Sequence, residues 1–490
     1  MKYFTKPSLD QIEALLCILI MVIVLSSCSA FRPQVRTSLE GELPRDYSVD
    51  MLSQQGERTQ QWWEDFRAPE LDTLVGQALS GNFTLQEAWA RLRQAQALAV
   101  QTGANLYPDL NVTAGGSTAR QRTDSGSGGS TSSGSSYSLG IASSYELDLW
   151  GKIRAEEEAA VLEAQASRED YSAAAMTVAA QVTEDWINLV SQRMQKQILL
   201  DQLETNRTYL ELTQLRYRKS LASAVDVYQQ RQLVEQVEAQ LPLVEAAEAT
   251  YLNELTLLLG KPQGSYPVIT SDKLPSFGEL PSTGLPADLL VNRPDVCSAG
   301  LRLMASDWQV AVARADRLPA ISLSASALYS AESLDLIFDN WILSLAGNLA
   351  APVFDAGRRS SEVERTTAVV DENLAAYRRT VYTAVKEVED ALVREEKTSQ
   401  YVRGLQQQTA TARLVLEEAR LRYTKGITDY LPVLTALRSV QGLETSLVDQ
   451  QTQLLINRVN LYRALGGTWT DEISPAQAFL TTNEKQGVIE

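Results

Sequence analysis

Few residues in this chain have a type or spacing that could do chemistry. Histidine is absent from all 490 positions, which removes the Ser/His and Cys/His nucleophilic arrangements and the commonest metal ligand. The run Glu156-Glu157-Glu158 holds enough carboxylates for general acid–base work but reads as a solvated helix face. The methionines Met51, Met176, Met194 and Met304 are unclustered and give soft-metal binding little support. No catalytic, cofactor-binding or metal-ligating set is expected. A nucleic acid partner is not expected either, because a net charge of −17 offers phosphates no basic face.

The remaining reactive side chains are thiols. Lys2 and Lys6 precede an apolar stretch, residues 14–25, too short to span a bilayer but suited to a signal-peptide core. It ends in Leu25-Ser26-Ser27-Cys28, which resembles the lipobox of bacterial lipoproteins. That resemblance implies that residues 1–27 are a signal peptide and that Cys28 becomes the acylated first residue. Ser29, in place of an aspartate, favours transfer to the outer membrane, whereas Asp10 and Glu13 ahead of the core depart from the usual pattern. Cys17 would leave with the signal, so no cysteine remains for a disulfide with Cys297, which reads as a small buried helix residue.

The scaffold that must position any function is a duplication. Residues 151–260 and 357–466 match at a constant offset without a gap. Leu215-Arg216-Tyr217 and Lys219 recur as Leu421-Arg422-Tyr423 and Lys425, and Leu255, Leu259 and Gly260 recur as Leu461, Leu465 and Gly466. A match that tolerates no loop insertion predicts continuous helices in fixed register. No proline interrupts residues 152–219, and Ala175, Val178, Val182, Trp186 and Leu189 step by three and four along a heptad seam. Long helices are expected over 151–219 and 357–425, turns at 220–223 and 426–429, and return helices over 224–259 and 430–465. The return helices are only about half as long as the outgoing ones. The missing length is expected to come from a helix over 85–101, stacked on the end of 224–259 as a composite strut.

Ahead of each long helix the pattern switches to period two. Tyr107-Pro108 stops the first helix, and Leu110, Val112 and Ala114 alternate after it. Leu139, Ile141, Tyr145, Leu147 and Leu149 alternate on the way back, with the Gly/Ser-rich residues 125–136 expected as a flexible loop between. In the second copy the helix 298–316 ends at Leu318-Pro319, residues 321–327 alternate, and a loop around 330–339 leads to a strand over 341–354. Strands are thus expected within 109–149 and 320–354, four of about ten residues each, the length of tilted membrane-spanning strands. Four strands cannot close a barrel, and an open edge in lipid leaves N–H and C=O groups unpaired at several kcal/mol each. In a membrane, such strands need other copies of the chain. Tyr107, Tyr145, Trp150, Trp341 and Phe354 near the strand ends suit interfacial girdles, and the abundant serines suit a water-filled lumen.

Five ordered motifs resemble those of TolC-like outer membrane factors. The first is Trp62-Trp63-Glu64-Asp65-Phe66 followed by Leu71, Leu74, Ala78 and Leu79. The second is Tyr145-Glu146-Leu147-Asp148-Leu149-Trp150-Gly151-Lys152-Ile153-Arg154, and the third Asn292-Arg293-Pro294-Asp295-Val296. Pro352-Val353-Phe354-Asp355-Ala356-Gly357-Arg358-Arg359 and Ala464-Leu465-Gly466-Gly467 complete the set. The resemblance spans residues 34–470 and is nearest to the lipoprotein branch that serves resistance-nodulation-division (RND) drug pumps. It implies a mixed α and β membrane protein: a homotrimer in which each chain gives four strands to a twelve-stranded outer membrane β-barrel, continued by a long periplasmic α-helical barrel. The lipidated segment 28–70 and the linker 261–292 would build an equatorial domain, with 71–260 and 293–466 as the two repeats and 467–490 as a tail. The implied activity is not enzymatic. Such a chain is a passive duct, lipid-anchored in the outer membrane bilayer, that exports drugs or other small molecules handed on by a periplasmic adaptor and an inner membrane transporter of RND type. An outer membrane duct for type I protein secretion stays open, as does a lipid-tethered periplasmic coiled-coil scaffold, which would not need hairpins of membrane length.

The same resemblance implies a gate at the periplasmic tips. Tyr423 matches a tyrosine that links neighbouring coils, Asp226 an acidic position, and Leu431 and Arg438 a leucine constriction and its nearby arginine. Thr435 departs, standing where many members ring the pore with aspartate, which implies weaker cation selectivity. Pro432 and Thr428 also replace polar or charged gate residues. Ser220, Leu221, Ala222 and Ser223, with Gly426, Ile427 and Thr428, would form the tips that dock the adaptor. Control is expected where the two copies differ, as at Asp226 against Pro432.

Overall fold

The computed structural model describes residues 61–125, 128–278, 286–467 and 469–470, with single positions 41, 43, 44, 47, 280 and 281. Cys28, the signal segment and the tail beyond Thr470 lie outside them. A 3-10 turn, Trp62–Phe66, leads to α1 (Pro69–Gly81) and α2 (Phe83–Gly103). Strands β1 (Asp109–Ser125) and β2 (Gly128–Leu147) follow, then α3 (Lys152–Arg218) and α4 (Ala224–Leu258). After a linker, the short α5 (Leu289–Asn292) and α6 (Pro294–Ala315) precede β3 (Ala320–Ala331), β4 (Trp341–Ala350), α7 (Arg358–Thr424) and α8 (Leu431–Leu465). The long helices α3 and α7 have 67 residues each and the return helices α4 and α8 have 35 each. Equal lengths in the two copies are what an ungapped duplication requires. Helix α6 starts at Pro294, earlier than expected, because proline fits a helix's first turn. Strand β4 ends at Ala350, short of 354, with Pro352 just beyond it, a residue that cannot donate to a ladder.

The chain forms two compact units. The first, residues 92–167 and 299–377 among those described, holds the antiparallel sheet in the order β1-β2-β3-β4. Residues 125–136 are not a flexible loop: the β1–β2 ladder continues through Ser117↔Ser136 to Ser125↔Gly128, leaving two residues to connect the strands. Strands β1 and β2 therefore reach 17 and 20 residues, not about ten. Ladder hydrogen bonds belong to the backbone, which Gly and Ser supply as well as any residue. Their small side chains signal that little packs there, not that nothing pairs.

Below the sheet, one carboxylate gathers the starts of both long helices. Asp316 accepts from Lys152 Nζ at 3.1 Å and from Arg359 Nε at 2.9 Å. Burial pushes this carboxyl up, but the two cations outweigh it and hold it below the usual range. Asp148 caps α3 by accepting from Ile153 N and Arg154 N, each at 3.0 Å, and Asp355 caps α7 by accepting from Arg359 N at 3.2 Å. Trp150 donates its indole N–H to Pro319 O at 2.6 Å. The second and fourth sequence motifs are therefore the two halves of one strand-to-helix joint.

The second unit, residues 61–91, 168–298 and 378–470 among those described, has its core around Trp186 of α3. The Trp62–Phe66 turn packs into that core: Trp62 stacks on Tyr462 at 5.3 Å between centroids, and Asp65 accepts from Tyr462 Oη at 2.6 Å. Glu70 of α1 clamps the linker, accepting from Thr270 N at 2.6 Å and Ser271 Oγ at 2.5 Å, and takes the Trp186 indole N–H at 3.3 Å. Burial raises the Glu70 carboxyl, and these bonds more than compensate and hold it low. Cys297 is half-buried rather than buried, its thiol against the carbonyls of Leu290 and Val291.

The junction of the expected strut lies in this unit. Asn82 donates Nδ2 to Leu258 O, at the end of α4, at 2.9 Å. Its Oδ1 accepts from Thr84 N at 2.8 Å and Leu85 N at 3.2 Å, capping α2. One side chain thus joins two helix ends. At the second copy's seam Gly467 N donates to Asn292 O at 3.0 Å and Arg293 Nη1 donates to Ala464 O at 3.1 Å.

Asp185 of α3 is buried, with no ion-pair partner among the described residues. Burial pushes its carboxyl up to about 7, with Glu254 and Glu184 adding to the shift and a hydrogen bond from Gln181 opposing it. A folded value above the unfolded one means that the folded state binds the extra proton, so stability falls as pH rises from about 4 to 7. Asp185→Asn is therefore expected to raise the melting temperature more at pH 8 than at pH 5. Equal gains at both pH values would contradict this.

Candidate functional site

The strand registers sort the sheet into two unlike faces. Leu110, Val112 and Ala114 of β1 lie opposite Ser143, Ile141 and Leu139 of β2. These pair with Ala325, Ala327 and Tyr329 of β3, which oppose Leu345, Leu343 and Trp341 of β4. Side chains alternate across a strand, so where all four strands pair this face is apolar apart from Ser143, while farther along β1 the same face carries Thr118, Arg120 and Arg122. The other face carries Asn111, Thr113, Ser144, Ser324, Ser326, Ser344 and Asn348, with the apolar pair Leu328 and Ile342 among them. The apolar face is uncovered, with Leu110 71 % and Leu345 84 % exposed. A contiguous surface of that kind marks contact with lipid or protein. Strands β1 and β4 are the free edges. Of the expected girdle aromatics, Tyr107, Trp341 and Phe354 are exposed, whereas Tyr145 is half-buried on the apolar face and Trp150 is held by Pro319. No helix among the described residues is long and apolar enough to cross a membrane.

The two tip turns, in the second unit, have the same backbone. Leu221 N donates to Arg216 O at 2.8 Å and Ser220 N to Tyr217 O at 2.9 Å; Ile427 N donates to Arg422 O at 2.9 Å and Gly426 N to Tyr423 O at 3.0 Å. This is the Schellman ending, with a left-handed residue closing the helix. Gly426 takes it at φ 72° and Ser220 at φ 59°. Leu221 and Ile427, one residue on, are both exposed.

The gate candidates fall into two groups. Tyr423 is buried under the Arg216 guanidinium, 4.3 Å from its ring centroid, with the Tyr430 ring 5.3 Å away. Among the described residues its hydroxyl has no hydrogen-bond partner, and neither does Thr428 Oγ1. Asp226 does not reach Tyr423. It forms a capping box for α4, accepting from Ser223 N at 2.8 Å while its own N–H donates to Ser223 Oγ at 3.2 Å. Leu431, Thr435 and Arg438 lie together on the exposed stripe of α8, and Thr435 Oγ1 donates back to Leu431 O at 2.9 Å. Arg438 has no ion-pair partner among the described residues.

A buried network behind this stripe went unread in the sequence. Tyr430 Oη donates to Gln230 Oε1 at 2.6 Å, and Gln230 Nε2 donates to Asn206 O at 2.9 Å. Gln441 Nε2 donates to Asn206 Oδ1 at 2.9 Å, and Gln202 Nε2 donates to Gln441 O at 3.2 Å. These bonds join α3 and α4 to α8. A signal was available: the repeat places Ala412, Ala436 and Ala224 where Asn206, Gln230 and Tyr430 stand. Alanine at the equivalent positions of the other copy marks where one copy buries polar side chains and the other does not. Gln441→Leu strands the buried Asn206 amide and is expected to cost about 1–3 kcal/mol of stability. Gln408→Leu, at an exposed position of α7, should move the melting point by far less.

Residues 74–261 and 285–467 match the family described as outer membrane efflux protein. The chain is 34 % identical over 421 residues to the pyoverdine export outer membrane protein OpmQ of Pseudomonas aeruginosa, covering 84 % of this chain and 88 % of that one. It is 31 % identical to the toluene efflux pump outer membrane protein TtgF of Pseudomonas putida, over 84 % of this chain and 86 % of that one. The solved outer-membrane channel OprN superposes with a TM-score of 0.83 at 28 % identity, over 89 % of this chain and 99 % of that one.

Proposed function

The chain belongs to the outer membrane efflux protein family, and we propose that three copies of it form the outer membrane duct of a tripartite efflux system. The sheet carries this reading. It has one apolar face, one polar face and two free edges. Three such sheets joined edge to edge give twelve strands, and pairing β1 with the next copy's β4 satisfies the ladders that lipid would leave open. The apolar face then meets lipid and the serine face lines water. The long helices of three copies form the periplasmic barrel, with the stripe of Leu431, Thr435 and Arg438 towards its lumen. The segments around Trp62 and the linker girdle it, and acylated Cys28 adds an anchor.

The turns 220–223 and 426–428 present matched exposed side chains, Leu221 and Ile427, to a periplasmic adaptor, which joins the duct to an inner membrane transporter of RND type. The relatives' names, pyoverdine export and toluene efflux, support small organic cargo. Purified protein in planar bilayers is expected to give stepwise conductance; a detergent-stable preparation that inserts without conducting would overturn the duct. In the same bilayers Thr435→Asp adds a ring of three carboxylates to the proposed lumen. It is expected to shift the reversal potential towards cation selectivity, as fixed charge in a narrow pore selects counter-ions. No shift would place Thr435 off the conduction path.

A further inference from the structure

We infer that the outer half of β1, carrying Arg120 and Arg122, docks against the β3–β4 loop of a second copy of this chain and seals the outer end of the seam between subunits. The inference rests on the edge-to-edge assembly proposed above.

The β2–β3 ladder ends at Tyr137↔Ala331, whereas the β1–β2 ladder runs on to Ser125↔Gly128. Residues 117–125 and 128–136 therefore form a ribbon of two strands that outruns the rest of the sheet. A two-stranded ribbon is marginal alone in water, and this one is built from small polar residues with little to pack. It needs a neighbour. In the assembly, the neighbour beside β1 is β4 of the next copy. Strand β1 has 17 residues and β4 has 10. With the inner ends Asp109 and Ala350 level, residues 119–125 extend past that β4. What lies there is the segment preceding it in chain order, the loop 332–340.

Charge fits the two together. Arg120 and Arg122 share one face of β1, and their cross-strand neighbours, Ser133 and Thr131, are too short to cover them. Arg120 has no acidic partner among the described residues. Arg122 meets Asp124 at 3.3 Å, but both are about 70 % exposed, and such pairs contribute little. The loop carries Glu332, Asp335 and Asp339 and no cation, and none of the three is in an ion pair among the described residues. Leu334 and Phe338 between them are exposed. Each copy thus offers a basic strand on one edge and an acidic, partly apolar loop on the other. That arrangement closes head to tail around a ring and would also help set the register of the seam.

The test uses full-length protein extracted from the outer membrane in detergent, with trimer dissociation on heating as the readout. Arg120→Glu with Arg122→Glu is expected to lower the dissociation temperature. Adding Asp335→Lys and Asp339→Lys to the same chain is expected to restore it, because the reversed charges again meet across the seam. A fourfold variant no more heat-resistant than the twofold one would overturn the contact. Arg122→Cys with Asp335→Cys adds a positional check. Disulfide-linked dimers and trimers should appear on non-reducing gels, and neither single variant should give them. If the unmutated protein is not a trimer before heating, the assembly itself is refuted rather than this contact.

Discussion

Replacing Gly260 with alanine is expected to remove folded protein from the outer membrane. Gly260 sits at φ 67°, in the left-handed region, where a side chain costs about 1–2 kcal/mol. The larger effect is steric. A Cβ there collides with the carbonyl oxygen of Gly81, and the reciprocal Cβ on Gly81 would lie 2.7 Å from Leu259 O. Both obstacles are backbone, so no side chain can rotate aside. Relief requires separating the end of α4 from the end of α1, which breaks the bond from Asn82 to Leu258. Strain, collision and a stranded buried amide together place the loss in the exceptional range above about 4 kcal/mol. Gly426→Ala is the control, with φ 72° and nothing within 4 Å of its Cβ. It should cost only the left-handed strain, about 1–2 kcal/mol, much as Ser220 already tolerates that conformation in the first copy. Melting temperatures of the two variants that fell equally would show that the seam is not the constraint.

The second large effect is expected at Arg458. Its guanidinium donates Nε to Glu395 Oε1 at 2.7 Å and a second bond from Nη2 to the same oxygen. Nη1 reaches Gly278 O at 3.3 Å, and the Phe277 ring lies over the guanidinium at 4.4 Å. Arg and Glu are 3 % and 5 % exposed. The pair ties α7 and α8 together and pins the linker on top. Arg458→Met leaves a carboxylate buried without its cation, a loss of about 3–5 kcal/mol. Coupling Arg458→Met with Glu395→Met removes the orphaned charge, and should recover much of that stability. Arg458→Lys keeps the charge but loses the planar fork and its stacking on Phe277. The single variants should also become sensitive to protease near 277–278, since Arg458 bonds the Gly278 carbonyl and stacks on Phe277. A double variant no more stable than Arg458→Met alone would contradict the pairing argument.

The helices were legible because their signal is redundant. Heptad spacing, the absence of proline from α3 and the ungapped repeat all demanded the same long elements, and α3 and α7 match residue for residue. The ribbon was not legible. Its Ser and Gly residues pair through backbone groups that composition does not report, so a low-complexity run looked like a loop. At the gate, the family resemblance singled out Leu431, Thr435 and Arg438, and the fold sets all three on one exposed stripe of α8. Asp226 could also have been anticipated: Ser223-Ala224-Val225-Asp226 is a capping-box spacing, and the carboxylate is engaged there rather than at Tyr423. The buried amides Asn206, Gln230 and Gln441 sit at helical positions that a heptad reading fills with apolar residues. Only the repeat exposes them, because the second copy holds alanine opposite two of the three. Sequence and strand count argued for closure by other copies of the chain, and the open edges β1 and β4 are where that closure would be made.

The most direct test is the mass of the intact complex extracted from the outer membrane in a mild detergent. Three chains per particle is the expected result, dissociating on heating with loss of β-sheet signal. A stable single chain, with β1 and β4 still free at its edges, would contradict the account.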